Sequence, residues 1–178
     1  MISGHVFIAT SLDGFIARED GDIGWLLDRD DPAEDHGYDA FIEDIDVILM
    51  GRGSYEGIAD MRPWPYARPV VVLSASLNEQ HVPRDLVGKV RIVGSAPEQA
   101  MAMLEGEGHR RVYVDGGLVI QSFLRAGLIS DMVVTQIPVL IGDGRRLFGA
   151  IPSDILLIHE STRSFPSGLV QSRYRIAA

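Results

Sequence analysis

Apolar residues fall along this chain in short continuous runs, each closed by glycine, proline or a polar turn. Runs rich in Val and Ile describe strands buried on both faces, as in a parallel sheet covered by helices. They predict strands at about 4–10, 46–50, 68–74, 89–94, 110–115 and 131–141. Between them the spacing changes to that of helices. Tyr38, Phe41, Ile42 and Ile45 make an i, i+3, i+4, i+7 stripe and predict a helix over about 34–44. Further helices are expected at about 53–59, at 95–105 with Pro97 in the first turn, and at 118–126 before Gly127. The Pro-rich and aromatic segment 62–68 cannot be regular helix. Pro138 breaks the 131–141 run and marks an edge or a bulge there. Segments 154–161 and 168–176 close the chain as an antiparallel hairpin.

Helices alternating with strands, followed by strands alone, define a three-layer α/β fold. Its central sheet is mostly parallel with an antiparallel C-terminal hairpin, and helices cover both faces. No repeat, linker or low-complexity tract divides the chain, so residues 1–178 read as a single domain.

Composition narrows the chemistry. There are no cysteines, which removes disulfides, thiolate metal sites and cysteine nucleophiles. His5, His36, His81, His109 and His159 lack metal-ligand spacing, so no metal is expected. The net charge of −9 argues against nucleic acid as a partner. Lys89 is the only lysine, which argues against Schiff-base and P-loop chemistry. No apolar run reaches the length of a membrane span and no basic-then-apolar leader is present, so the chain reads as cytoplasmic.

Two junctions carry the chemistry. In IDVILMGRGSYEG (45–57) a buried strand stops at Gly51-Arg52-Gly53-Ser54 and a helix begins. Amides at a helix start attract anions, and an arginine fork grips phosphate at two points. The same grammar recurs in RRVYVDGGLVIQSFLRAG (110–127) around Gly116 and Gly117. Either junction alone is an ordinary tight turn; together they point to a ligand with phosphates. The absence of GxGxxG after the first strand argues against an ordinary Rossmann domain.

In this order the segments ATSLDGFIA (9–17), Trp25, LMGRGSYE (49–56), VVVLSAS (70–76), VYVDGGLVIQSFL (112–124) and VTQIPVLIGDGRRLF (134–148) resemble the dihydrofolate reductase-like family. That family includes the reductase domain of bacterial riboflavin biosynthesis and its relatives. The resemblance implies a dihydrofolate reductase-like fold, NADPH as cofactor, a small heterocyclic substrate and a homodimer. It places Ala9 and Ile16 at the nicotinamide, and Gly51, Arg52, Gly53 and Ser54 at the pyrophosphate and adenosine-side phosphate. Leu73, Ser74 and Ala75 border the adenosine ribose, and Gly116, Gly117, Leu118 and Val119 cradle the pyrophosphate. Arg52 would select NADPH over NADH by meeting its 2′-phosphate.

Hydride reduction of a C=N or C=O bond also needs a proton source. Residues 28–46 hold Asp28, Asp30, Asp31, Glu34, Asp35, Asp39, Glu43, Asp44 and Asp46, mostly a solvated face. Asp35, three before Tyr38, shares the core-facing stripe and is the first candidate acid, with a helix-capping role as its alternative. Asp39, turned about 100° from that face, is the second. Thr135 stands where the family has a hydroxyl near the substrate, or is simply a β-branched strand residue. Trp25 and Trp64 read as pocket walls or as packing. Asp13 reads as a turn residue and His36 as a surface histidine. Arg145 and Arg146 in GDGRRLF bind an anionic substrate, face solvent or serve a dimer contact. Two functions follow. One is an NADPH-dependent reductase of an aminopyrimidine-like or pteridine-like heterocycle. The other is a non-catalytic module of the same fold that binds a nucleotide or heterocycle, favoured by the lack of one outstanding carboxylate.

Overall fold

The computed structural model describes residues 1–29 and 31–177, so Asp30 of the acidic stretch lies outside the described residues. The strands are β1 (Ser3–Ser11), β2 (Phe15–Ala17), β3 (Val47–Gly51), β4 (Val70–Leu73), β5 (Val90–Val93), β6 (Arg111–Asp115), β7 (Ile129–Ile137), β8 (Arg145–Arg146), β9 (Leu157–Ser164) and β10 (Val170–Ile176). The helices are α1 (Gly24–Leu27), α2 (Tyr38–Glu43), α3 (Arg52–Ile58), α4 (Pro97–Gly106) and α5 (Gly117–Arg125). Eight strands form one sheet in the order β5-β4-β3-β6-β1-β7-β10-β9, and β2 pairs with β8 in a small separate ribbon. Pairing is parallel from β5 to β7; β10 runs antiparallel to both β7 and β9.

Alternation along β3 shows how the layers assemble. Val47 and Leu49 pack with α4 and α5 residues such as Met101, Leu104, Ile120 and Phe123. Ile48 and Met50 pack on the other face with Tyr55 of α3 and with Phe41 and Ile42 of α2. Both sets are 0–1 % exposed, so the strand is buried on both sides, as its unbroken apolar run requires. Each such side chain contributes roughly 1.5–3 kcal/mol by leaving water. On α5, Val119, Ile120, Phe123 and Leu124 face the sheet while Leu118 stays 81 % exposed at the first turn.

Two expectations change. The helix over 34–44 is confined to α2, because Gly37 precedes it at φ 81° and Asp35 Oδ1 accepts the Gly37 N–H at 2.7 Å. A positive φ cannot continue a right-handed helix, so the face shared by Asp35 and Tyr38 does not exist. Pro138 does not mark an edge. The strand β7 lies inside the sheet and its ladder ends at Ile137, one residue before the proline without an N–H. The edges of the sheet are β5 and β9, and β9 is exposed at all eight positions.

Candidate functional site

The parallel strands β1, β3 and β6 end beside one another, and their connections leave a cleft of about 780 Å³. Ligands of open α/β sheets lie at this carboxyl edge. The turn from β3 into α3 and the turn from β6 into α5 line the same cleft and touch each other. A Cβ on Gly116, which sits at φ 92°, would come 2.7 Å from Ser54 Oγ, and one on Gly51 would come 2.9 Å from Val119. Only glycine permits this approach. No side chain caps α5 at Gly116, so the amides of its first turn face the cleft side without a side-chain acceptor.

Of the residues expected at a cofactor, Ala9, Ile16, Gly51, Gly53, Ser54, Gly116, Gly117, Leu118 and Val119 line this cleft. Arg52, Leu73, Ser74 and Ala75 do not; they meet just outside it, at the end of β4. Arg52 Nη1 donates to Ser76 Oγ at 3.1 Å, whose hydroxyl is 3.3 Å from Ser74 Oγ. Arg52 Nε also donates to Glu56 Oε1 at 2.7 Å, an exposed pair that a phosphate would have to displace.

The candidate acids fall elsewhere. Asp35 is exposed, with its carboxylate engaged by the Gly37 amide, and Asp39 is exposed in the first turn of α2. Neither lines the cleft. Within that acidic stretch Glu34 is the well-buried one, and it accepts both the amide (2.8 Å) and the hydroxyl (2.5 Å) of Ser167. Those bonds hold its carboxyl below the usual range and tie the segment to the β9–β10 turn. Thr135 is 5 % exposed beside Ala9 in the sheet, but its hydroxyl accepts Gln171 Nε2 at 2.9 Å and stays out of the cleft. Trp25 and Trp64 pack in core clusters and line no part of it. His36 lies edge-on to Phe165, 3.4 Å from Glu34.

The carboxylate that does enter the cleft is Asp115, the last residue of β6, directly before the two glycines. Burial pushes its carboxyl up, against opposing contributions from the Gly116 amide and the Ser54 and Tyr113 hydroxyls. Tyr66 and Tyr113 share its wall, and Tyr38 packs edge-on to Tyr113 at 6.4 Å. Burial, then the Asp115 charge, pushes the Tyr38 phenol up to about 12, and the same two causes raise Tyr66 and Tyr113. A carboxyl that burial raises in this way keeps its proton to higher pH than a solvated one. The signal in the sequence is an acid between an apolar strand and a pair of glycines, and the sequence reading above does not single it out.

Asp13 has a structural task. It accepts Ser11 Oγ (2.5 Å), Ile141 N (3.2 Å) and Gly142 N (2.8 Å), which pins the 141–149 loop over the cleft.

This sheet, with its cleft at the carboxyl edge and its C-terminal hairpin, is the dihydrofolate reductase-like architecture. The chain belongs to the RibD C-terminal domain family, whose match covers residues 4–171, and is thereby homologous to reductase domains. A putative riboflavin biosynthesis protein from Shewanella sp. PV-4 is 36 % identical, with 99 % of this chain and all of that one covered and a TM-score of 0.92. The uncharacterised protein YwjB of Bacillus subtilis is 29 % identical over 90 % of each chain. Dihydrofolate reductase from Enterococcus faecalis, solved in complex with NADP(H), shares the fold at a TM-score of 0.66 and 18 % identity, over 99 % of this chain and 97 % of that one.

Proposed function

We propose that the chain is an NADPH-dependent reductase that passes hydride to a planar nitrogen-containing heterocycle or related carbonyl, of aminopyrimidine-like or pteridine-like type. One observation carries this reading: both glycine cradles and the buried carboxyl of Asp115 open into one cleft. The residues fit the cofactor, since α5 offers uncapped amides and a Cβ on Gly117 would lie 2.6 Å from the Arg146 carbonyl, leaving room only for close backbone. NADPH supplies the hydride when bound. Ala9 and Ile16 would border its reactive ring, the two glycine turns would hold the diphosphate, and Arg52 with the 74–76 turn would meet the adenosine 2′-phosphate. Asp115 replaces Asp35 and Asp39 as the acid: it holds a proton at its carboxyl oxygen and delivers it to the substrate nitrogen or oxygen, directly or through one water. Phe7, Tyr66 and Tyr113 provide the apolar wall that keeps the substrate ring flat against the cofactor.

The test is loss of reduced-nicotinamide absorbance against a panel of pyrimidine, pteridine and carbonyl substrates. Turnover with NADPH, lost in Asp115→Asn while affinity persists, supports the reading. Binding without turnover on any substrate would favour the non-catalytic alternative, which Asp115 now weakens by giving the cleft its carboxyl group.

We further infer a homodimer that uses the exposed edge of β9, because an unshielded edge strand pairs readily. A monomeric mass by light scattering would refute it. No described helix is long and apolar enough to cross a membrane, and we read the protein as cytoplasmic.

A further inference from the structure

The 141–149 loop carries a cation into the cleft at a place that phosphate recognition by the two glycine turns leaves unexplained. Arg145 Nε and Nη2 both donate to the Glu19 carbonyl, at 3.2 and 3.0 Å. Nη1 lies on the other side, 3.0 Å from where a Cβ on Gly53 would stand, and makes no hydrogen bond among the described residues. Arg52 is paired with Glu56, whereas no carboxylate pairs with Arg145 among the described residues. Its neighbour Arg146 turns away, stacked 4.5 Å over the Phe15 ring.

The scaffold behind Arg145 is firmly held. Asp13 fixes the loop at Ile141 and Gly142, Leu147 N donates to the Gly14 carbonyl at 3.1 Å, and Gln121 Nε2 donates to the Arg146 carbonyl at 3.0 Å. Leu147 is 1 % exposed and anchors the loop in the core that α5 shares. Gly144 lies so close to the Ala17 carbonyl that a Cβ would run into it. The guanidinium is therefore presented in one position, anchored along one edge and open along the other.

We propose that Arg145 clamps the diphosphate of the dinucleotide from the loop side, opposite the α5 amides. This rests on the cofactor reading above and divides its charges between two arginines. Arg145 meets the diphosphate common to NADPH and NADH. Arg52, outside the cleft beside Ser76, meets the 2′-phosphate that only NADPH carries. A guanidinium with a free edge suits a phosphate oxygen, and a fixed loop spares the entropy of ordering a long side chain.

The experiment is a fluorescence titration of NADPH and NADH against the full-length protein and its Arg145→Ala, Arg145→Lys and Arg52→Ala variants, with melting temperatures alongside. Arg145→Ala is expected to weaken both dinucleotides by the same factor, about tenfold or more, with Arg145→Lys between it and the parent. Arg52→Ala is expected to weaken NADPH alone. Unchanged affinities in Arg145→Ala, whether or not its melting temperature falls, would overturn the clamp and leave the reductase reading standing. Loss confined to NADPH would overturn it too, by assigning Arg145 to the 2′-phosphate. A parent protein that binds neither dinucleotide would remove the cofactor reading and the clamp together.

Discussion

The two strand–glycine–helix junctions look alike in sequence and differ in what they deliver. At the end of β3 the charged residue is Arg52, exposed, paired with Glu56 and turned outward to Ser76. At the end of β6 it is Asp115, enclosed by tyrosines and turned into the cleft. The same backbone device thus sets a cation at the rim and an acid at the centre. The difference goes with position in the sheet: β6 lies between β3 and β1, on whose α2-side face Phe7, Tyr38, Phe41, Tyr66 and Tyr113 gather.

The comparison breaks most severely at the glycines. Gly117→Ala sets a methyl against the Arg146 carbonyl, and overpacking of that kind costs about 1–3 kcal/mol. A lower melting temperature together with lost dinucleotide binding is expected. Next, Asp115→Asn is expected to lower turnover on the order of a hundredfold while dinucleotide affinity holds, read by steady-state kinetics beside titration. The same variant has a stability signature. Asp115 has a raised carboxyl pKa in the fold, so its stabilising contribution is present at low pH and is lost as pH rises through that raised value. The Asn variant should therefore melt above the parent at neutral pH, and the gap should narrow on acidification. At the rim, Arg52→Ala should weaken NADPH about tenfold and leave NADH unchanged. Smallest of all, Asp35→Asn and Asp39→Asn should shift turnover by less than about twofold, as exposed substitutions do. A large loss in either, with Asp115→Asn active, would return the acid to α2 or to the segment that leads into it.

The fold was legible because apolar runs such as 47–50 and 112–114 are long enough to demand burial on both faces. The convergence of the two glycine turns on one cleft was legible only from their recurrence, since either junction alone is an ordinary tight turn. The acid was not. The periodic stripe around Tyr38 extended a helix through Gly37, whose positive φ stops it, so Asp35 was given a face it lacks. Asp115 was not singled out because its setting depends on Tyr38, Tyr66 and Tyr113, which only tertiary packing brings together. Pro138 read as an edge or a bulge because a missing N–H is also what ends an interior ladder. The β2–β8 ribbon, two residues on one side and three on the other, was too short to leave any periodic trace.

Asp13 has one further consequence. Its bond to the Gly142 amide joins positions 129 apart and fastens the loop through which β8 reaches β2. Closing so long a span costs chain entropy that is recovered only after the intervening strands have found their places. The roof over the cleft is thus expected to form after the sheet below it, and hydrogen exchange at Gly142 is expected to run ahead of that at the strands.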